Sequence, residues 1–378
     1  MKGTLLGKLP NPFIMENGKT ISTREEWKIR REEIKKLVLD IGYGGMPPEP
    51  DSTEGVLLCE SGTGLKTYLV VIKSGGREIS FEMRLFVPLQ LKDQKYPVVL
   101  DGDGCWTYLS ERVIENFRNR DIITAQFNRC ALVRDLPDNG EVLKSPLYQL
   151  FPGITSGSIA GWAWGFSRCI DVLEKIPFVD SRNIAITGHS RGGKAVLVAG
   201  AADERPAIVN PNCSGAGGCG CWRYRIGDNF NPESRNRNEI LADLLKNFPN
   251  WMGKKMIDYR DRETELPFDQ HYLKALVAPR YFLQTDASGD TWANPPGSCG
   301  TLMAAREVYR FLGAEDHILA NCRYGGHAHA PEDYAILADL ADCVRNGTAP
   351  AKSLLRDHYP ETRGLFDWQN PNSHNRES

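Results

Sequence analysis

Ser190 sits between two glycines in Gly188-His-Ser-Arg-Gly192, and its surroundings decide what a serine there can do. A short apolar run over residues 183–187 leads into the first glycine, and Ala/Val/Leu-rich sequence follows from Ala195. Strand, sharp turn and helix in that order make a nucleophile elbow. A Cβ on either side would crowd so tight a turn. The turn lifts the serine hydroxyl clear of a sheet, and the amides that start the helix face any oxyanion formed beside it. The chemistry is acyl transfer, which needs a base and an acid to orient that base.

In the order typical of such elbows the acid and then the histidine follow the serine, each on a loop just past a strand. Of the seven histidines, His189 adjoins the serine, His271 and His317 begin elements, and His358 and His374 fall near the end. His327 and His329 lie beyond an expected strand over 318–324, in Tyr-Gly-Gly-His-Ala-His. Two histidines two residues apart can also begin a metal site, but no third ligand has suitable spacing nearby. The acid is Asp290 or Asp286, both after an expected strand over 279–285. Asp290, in Ser-Gly-Asp-Thr-Trp, is the preferred candidate, although an aspartate in such a turn can simply cap its own backbone. Arg191 and Lys194 place positive charge where it opposes the helix dipole, which calls for a compensating purpose such as an oxyanion or a substrate anion. Trp292, two residues past Asp290, can offer an apolar face to a sugar ring or pack in the core.

The elements that must position these groups alternate. A capping box, Thr23 to Glu26, opens a charged helix to about Asp40. Residues 67–73 and 79–88 read as a hairpin, and 96–101, 121–127, 207–212, 279–285 and 318–324 as further strands. Helices are expected over 109–119, 159–176, 236–246, 302–313 and 333–346, with a long polar loop over 128–156 and irregular Gly-rich sequence over 214–235. Strands alternating with helices imply a right-handed parallel sheet. We expect one domain across residues 1–378, with an extended lead-in over 1–20 and a polar tail from about 348.

Composition narrows the function. Net charge is −2, so nothing draws the chain to nucleic acid or an anionic membrane. No apolar run is long enough to span a bilayer, and no cationic start leads into an apolar run, so no secretory signal is expected. Ten scattered cysteines lack zinc-ligand spacing; they are expected to be mostly buried thiols with one or two bridges at most.

Several stretches together resemble the glucuronoyl esterases of carbohydrate esterase family 15. Gly188-His-Ser-Arg-Gly-Gly-Lys194 is similar to that family's G-C-S-R-x-G-K, and Ser214-Gly-Ala-Gly-Gly218 with Cys221-Trp-Arg223 to its S-G-A-G-G and C-W-R. Gly161-Trp-Ala-Trp-Gly165, Leu266-Pro-Phe-Asp-Gln-His271, Gly326-His-Ala-His329 and Leu9-Pro-Asn-Pro-Phe13 also correspond. The resemblance runs from about residue 9 to 346 and implies a three-layer α/β/α sandwich of the α/β-hydrolase type. It implies hydrolysis, without metal or organic cofactor, of the ester joining glucuronic or 4-O-methyl-glucuronic acid on xylan to lignin-type alcohols. An acetyl-xylan or other carbohydrate esterase and a non-catalytic carbohydrate binder are the rival readings.

By the same resemblance Ser190 is the nucleophile, Arg191 supports the oxyanion, and Lys194 and Trp292 contact the uronate. His329 is the base, with His327 next in line. Two departures matter. The fungal pattern has its acidic glutamate where this chain has Cys213, so the acid must come from elsewhere, and bacterial members resemble this chain in a D-x-W turn, here Asp290-Thr-Trp292. Fungal members also bridge the residue before the serine to the one after the histidine; those positions are His189 and Ala330. The family is usually secreted, which leaves the compartment of this chain open, as the oligomeric state is.

Overall fold

The computed structural model describes residues 3–106, 109–227 and 236–373. His374 and residues 228–235 of the Gly-rich stretch lie outside them. The strands are β1 (Gly3–Leu5), β2 (Ser52–Glu60), β3 (Leu65–Ser74), β4 (Arg77–Phe86), β5 (Tyr96–Asp101) and β6 (Ile123–Phe127). They continue with β7 (Val179–His189), β8 (Ile208–Asn212), β9 (Tyr224–Ile226), β10 (Tyr281–Ala287) and β11 (Ile318–Arg323). The helices are α1 (Arg24–Tyr43), α2 (Glu111–Arg118), α3 (Asn139–Val142), α4 (Pro146–Leu150) and α5 (Ser158–Leu173). After them come α6 (Arg191–Ala202), α7 (Leu241–Asn247), α8 (His271–Val277), α9 (Pro295–Leu312) and α10 (Pro331–Asn346).

Nine strands form one sheet in the order β11-β10-β8-β7-β5-β6-β4-β3-β2. From β11 to β6 the pairs are parallel; β6, β4, β3 and β2 pair antiparallel. All six residues of β5 are buried, as a strand covered on both faces requires. One apolar cluster joins the sheet to α1, α5, α6, α8 and α9; a second joins it to α2 and α10. Helices therefore cover both faces, which is the expected three-layer α/β/α architecture of the α/β-hydrolase type. In α5 every residue but Asp171 is buried, the mark of a helix apolar on all sides. Among the described residues no helix is long and apolar enough to cross a membrane.

The differences from expectation have local causes. β2 is an edge strand whose Val56, Leu57 and Leu58 are exposed, so its sequence does not alternate, and a register shift falls between Leu57 and Cys59. α9 starts at Pro295, because two prolines fit the first turn of a helix and only look like a breaker. The loop over 128–156 holds α3 and α4. The expected tail is docked instead: Leu365 is buried and Trp368 Nε1 donates to the Leu9 carbonyl at 3.1 Å. The lead-in is fixed from the other side by His271 Nε2 on the Pro10 carbonyl at 2.8 Å, with Phe13 fully buried. All ten cysteines are free, five of them buried.

Candidate active site

Ser190 is the single residue between β7 and α6, with φ 56° and ψ −119°. A non-glycine residue held there costs about 1–3 kcal/mol, so its neighbours must over-determine it. They do. The Ser190 amide donates to the Asn212 carbonyl at 2.9 Å, and the Ser190 carbonyl accepts the Lys194 amide at 3.0 Å. A Cβ on Gly188 would come within 2.9 Å of the Gly192 backbone, so the elbow closes only on glycine. Asp103, from the end of β5, accepts the His189 amide at 2.6 Å and is ion-paired with the fully buried Arg129 from the end of β6. Asp103 thus clamps the residue before Ser190 to two neighbouring strand ends. Its burial pushes its carboxyl above the usual range despite Arg129, and the adjacent Asp101 is raised to about 7 by burial and by Asp103.

The serine is not alone. His327 Nε2 lies 2.9 Å from Ser190 Oγ, and His327 Nδ1 lies 2.6 Å from Asp290 Oδ2. An ionised carboxylate only accepts, so the ring proton sits on Nδ1 and the Nε2 lone pair faces the serine hydroxyl. His327 is 42% exposed at its side chain, whereas Asp290 is buried. Asp290 also caps its own turn, through Oδ1 and the Ala293 amide at 3.4 Å, so one carboxylate performs both roles that its sequence allowed. Asp286 does not reach the histidine; it is buried, accepts Gln284 Nε2 at 2.7 Å, and is raised to about 7 chiefly by that burial.

The structure turns His327, rather than the expected His329, towards Ser190. His329 is buried and stacks on Tyr334, with ring centroids 3.8 Å apart. Burial drives it well below the ordinary histidine range, followed by the effect of His189. The loop decides which ring turns outward. Gly325 adopts φ 135°, and Arg323 holds the Gly326 and Ala328 carbonyls at 3.1 and 2.7 Å, fixing the backbone on each side of His327. The residue after the serine-facing histidine is therefore Ala328, not Ala330. His189 is held by Asn212 Oδ1 at 2.6 Å, with its ring 4.4 Å from that of His327. Burial and His327 lower it to about 4, so it stays neutral beside the site.

Arg191 places its guanidinium 2.8 Å from Asp135 and over Trp251, Phe248 and Trp106, at 4.8, 5.1 and 5.8 Å from the ring centroids. As the first residue of α6, it also presents an amide that no helical carbonyl accepts. Lys194 is buried, and its ammonium donates to the Ser214 and Ala216 carbonyls at 2.8 and 2.5 Å and to Glu239 at 3.2 Å. Three donors meet three acceptors, so a sugar reaches Lys194 only by displacing one. The charge that opposes the helix dipole is compensated inside the protein. Lys194→Ala strands Glu239 and two carbonyls, so we expect a loss of about 3–5 kcal/mol in urea unfolding, the usual penalty for breaking a buried pair. Trp292 is 40% exposed, with the Arg237 guanidinium 5.4 Å from its ring.

The sequence reading had no place for Asp103, Arg129, Asn212, Asp135 or Glu239. Only Asp103 carried a signal, as an acid in the Gly-rich turn after the apolar run of residues 96–100.

Residues 70–313 match the family model of the fungal glucuronyl esterases. The 4-O-methyl-glucuronoyl methylesterase 1 of Phanerochaete chrysosporium is 30% identical over 326 residues, covering 85% of this chain and 65% of that protein. The chain thus spans just under two thirds of that relative's length. A carbohydrate esterase family 15 glucuronoyl esterase from Caldicellulosiruptor kristjansonii superposes with a TM-score of 0.83 at 30% identity, covering 96% of this chain and 97% of that one. A mutant glucuronoyl esterase from Sporotrichum thermophile, solved with methyl 4-O-methyl-β-D-glucopyranuronate, gives 0.78 at 25% identity, with 96% of each chain covered. The elbow, the sheet that carries it and these matches place the chain in one family: it belongs to the glucuronoyl esterases, carbohydrate esterase family 15.

Proposed function

We propose that the chain is a single-domain serine esterase that hydrolyses esters of glucuronic or 4-O-methyl-glucuronic acid, including those joining xylan to lignin-type alcohols. The observation that carries this reading is the unbroken chain from Ser190 Oγ through His327 to Asp290. His327 Nε2 takes the hydroxyl proton as Ser190 Oγ attacks the ester carbonyl. The Arg191 amide and guanidinium stabilise the tetrahedral oxyanion. The imidazolium, held by Asp290, gives its proton to the departing alcohol. Water then repeats the sequence on the glucuronoyl-serine, releasing the free acid and restoring the hydroxyl. No step calls on a metal or organic cofactor.

Trp292, exposed beside Asp290, supplies an apolar face for the sugar ring. Lys194 acts from behind, fixing the turn at Ser214–Ala216 and Glu239, whose amide donates to the Trp292 carbonyl at 3.0 Å. The non-catalytic reading drew on Cys213 alone, and Asp290 on the imidazole weighs against it.

The test compares the methyl ester of 4-O-methyl-glucuronic acid with acetylated xylan. The uronate ester is expected to have the larger kcat/KM by about tenfold or more, the scale of discrimination that a few pocket contacts supply. Equal or faster acetyl release would overturn the assignment in favour of another carbohydrate esterase.

A further inference from the structure

Cys213 stands at the end of β8, with φ 43° and its thiol buried against the base. One ligand atom from each of Cys213, Asp290 and His327 lies within 4.8 Å of the others. A thiol, an imidazole and a carboxylate are the three donor types that zinc accepts, and in a tetrahedral zinc site such donors stand about 3.3–3.8 Å apart. The Nδ1–Oδ2 pair, now 2.6 Å apart, opens by under an ångström and the thiol closes by about one, movements that rotation of the Cys213 and His327 side chains supplies. We propose that these residues form an inhibitory site for zinc and similarly soft divalent ions, built across the base and the acid of the triad.

The surrounding charge favours a cation. Asp286, Asp290 and Asp333 place negative charge around Cys213. The same field attracts a doubly charged ion, which displaces the thiol proton as it binds. Arg323 is the opposing charge, and it is tied to Asp333 at 2.9 Å. Hard ions such as magnesium prefer oxygen donors and gain little from a thiol and an imidazole.

Inhibition follows from the proton balance. Zinc takes the Nδ1 lone pair, so the single ring proton moves to Nε2, and the Cys213 thiol gives its proton to water as the zinc–sulfur bond forms. Nε2–H then donates to Ser190 Oγ and can no longer accept its proton. The metal reverses the tautomer on which general-base catalysis depends.

The proposal goes beyond the hydrolytic reading, and its two arms separate the failures. In the first, cobalt(II) is added to wild type and to Cys213→Ser. A thiolate-to-cobalt charge-transfer band is expected in wild type and not in the variant; this arm holds whatever the chain hydrolyses. In the second, each protein's uronate-ester hydrolysis is measured against its own metal-free rate. Micromolar zinc is expected to slow wild type by about tenfold or more, as ligand sets of this kind bind tightly near neutral pH. A chelator restores the rate, magnesium has no effect, and Cys213→Ser resists zinc. Absence of the band in wild type, its persistence in the variant, equal inhibition of both proteins, or equal inhibition by magnesium would overturn the site. The other nine cysteines remain in the variant, so a response at any of their thiols shows as one that Cys213→Ser does not remove.

Discussion

Ser190→Ala is expected to lower kcat on a uronate methyl ester by about 10⁴-fold or more while leaving sugar binding intact. Removing the nucleophile of a triad leaves only oxyanion stabilisation and positioning, and those account for a small part of the acceleration. Methyl glucuronate should still bind the variant in calorimetry, because Trp292, the proposed face for the sugar ring, stays in place when the hydroxyl is removed. Fold loss is not expected. The bonds that fix this position run through the Ser190 backbone, to Asn212 and Lys194, and alanine keeps both. A variant that retained a tenth of wild-type kcat would discard the covalent mechanism.

His327→Ala and His329→Ala should separate by a similar margin, although their side chains leave the same loop. His327 is the ring between the serine and the carboxylate, so its loss removes the base and strands buried Asp290; kcat should fall by about 10⁴-fold. His329 packs on Tyr334 beneath the site. Its replacement opens a cavity and should cost about 1–3 kcal/mol of stability, with kcat within about tenfold of wild type. Steady-state kinetics and urea unfolding of both variants give the answer. The reverse pattern, with His329→Ala inactive and His327→Ala active, would move the base one step along the loop.

That pair marks the limit of what the sequence disclosed. Gly-x-Ser-x-Gly between an apolar run and an Ala/Val/Leu-rich run was enough to locate the elbow, because its steric demand is local. The carboxylate that meets His327 was legible for the same reason: a Gly/Ser turn after a strand can present Asp290, and Asp286, still inside the strand, is buried away from it. His327 and His329 could not be ranked, since the choice depends on Arg323 gripping carbonyls and on Tyr334 waiting below, contacts made only when β11 and α10 are packed. Lys194 was legible only in part. Its position beside the serine read as a substrate contact, but its partner Glu239 is 45 residues away in sequence. The parallel strands were readable as apolar runs; β2 was not, because its apolar residues face outward.

Support for the reacting groups is unequal. The hydroxyl rides on an interior strand, clasped by Asp103, Asn212 and its own helix, with no room to shift. The imidazole comes from the outermost strand of the sheet, past two glycines, one of which has nothing within 4 Å of where a Cβ would stand. In the proposed reaction the oxygen is the fixed post, and any adjustment of the proton's path falls to rotation of the half-exposed ring, because Arg323 pins the carbonyls on each side of it.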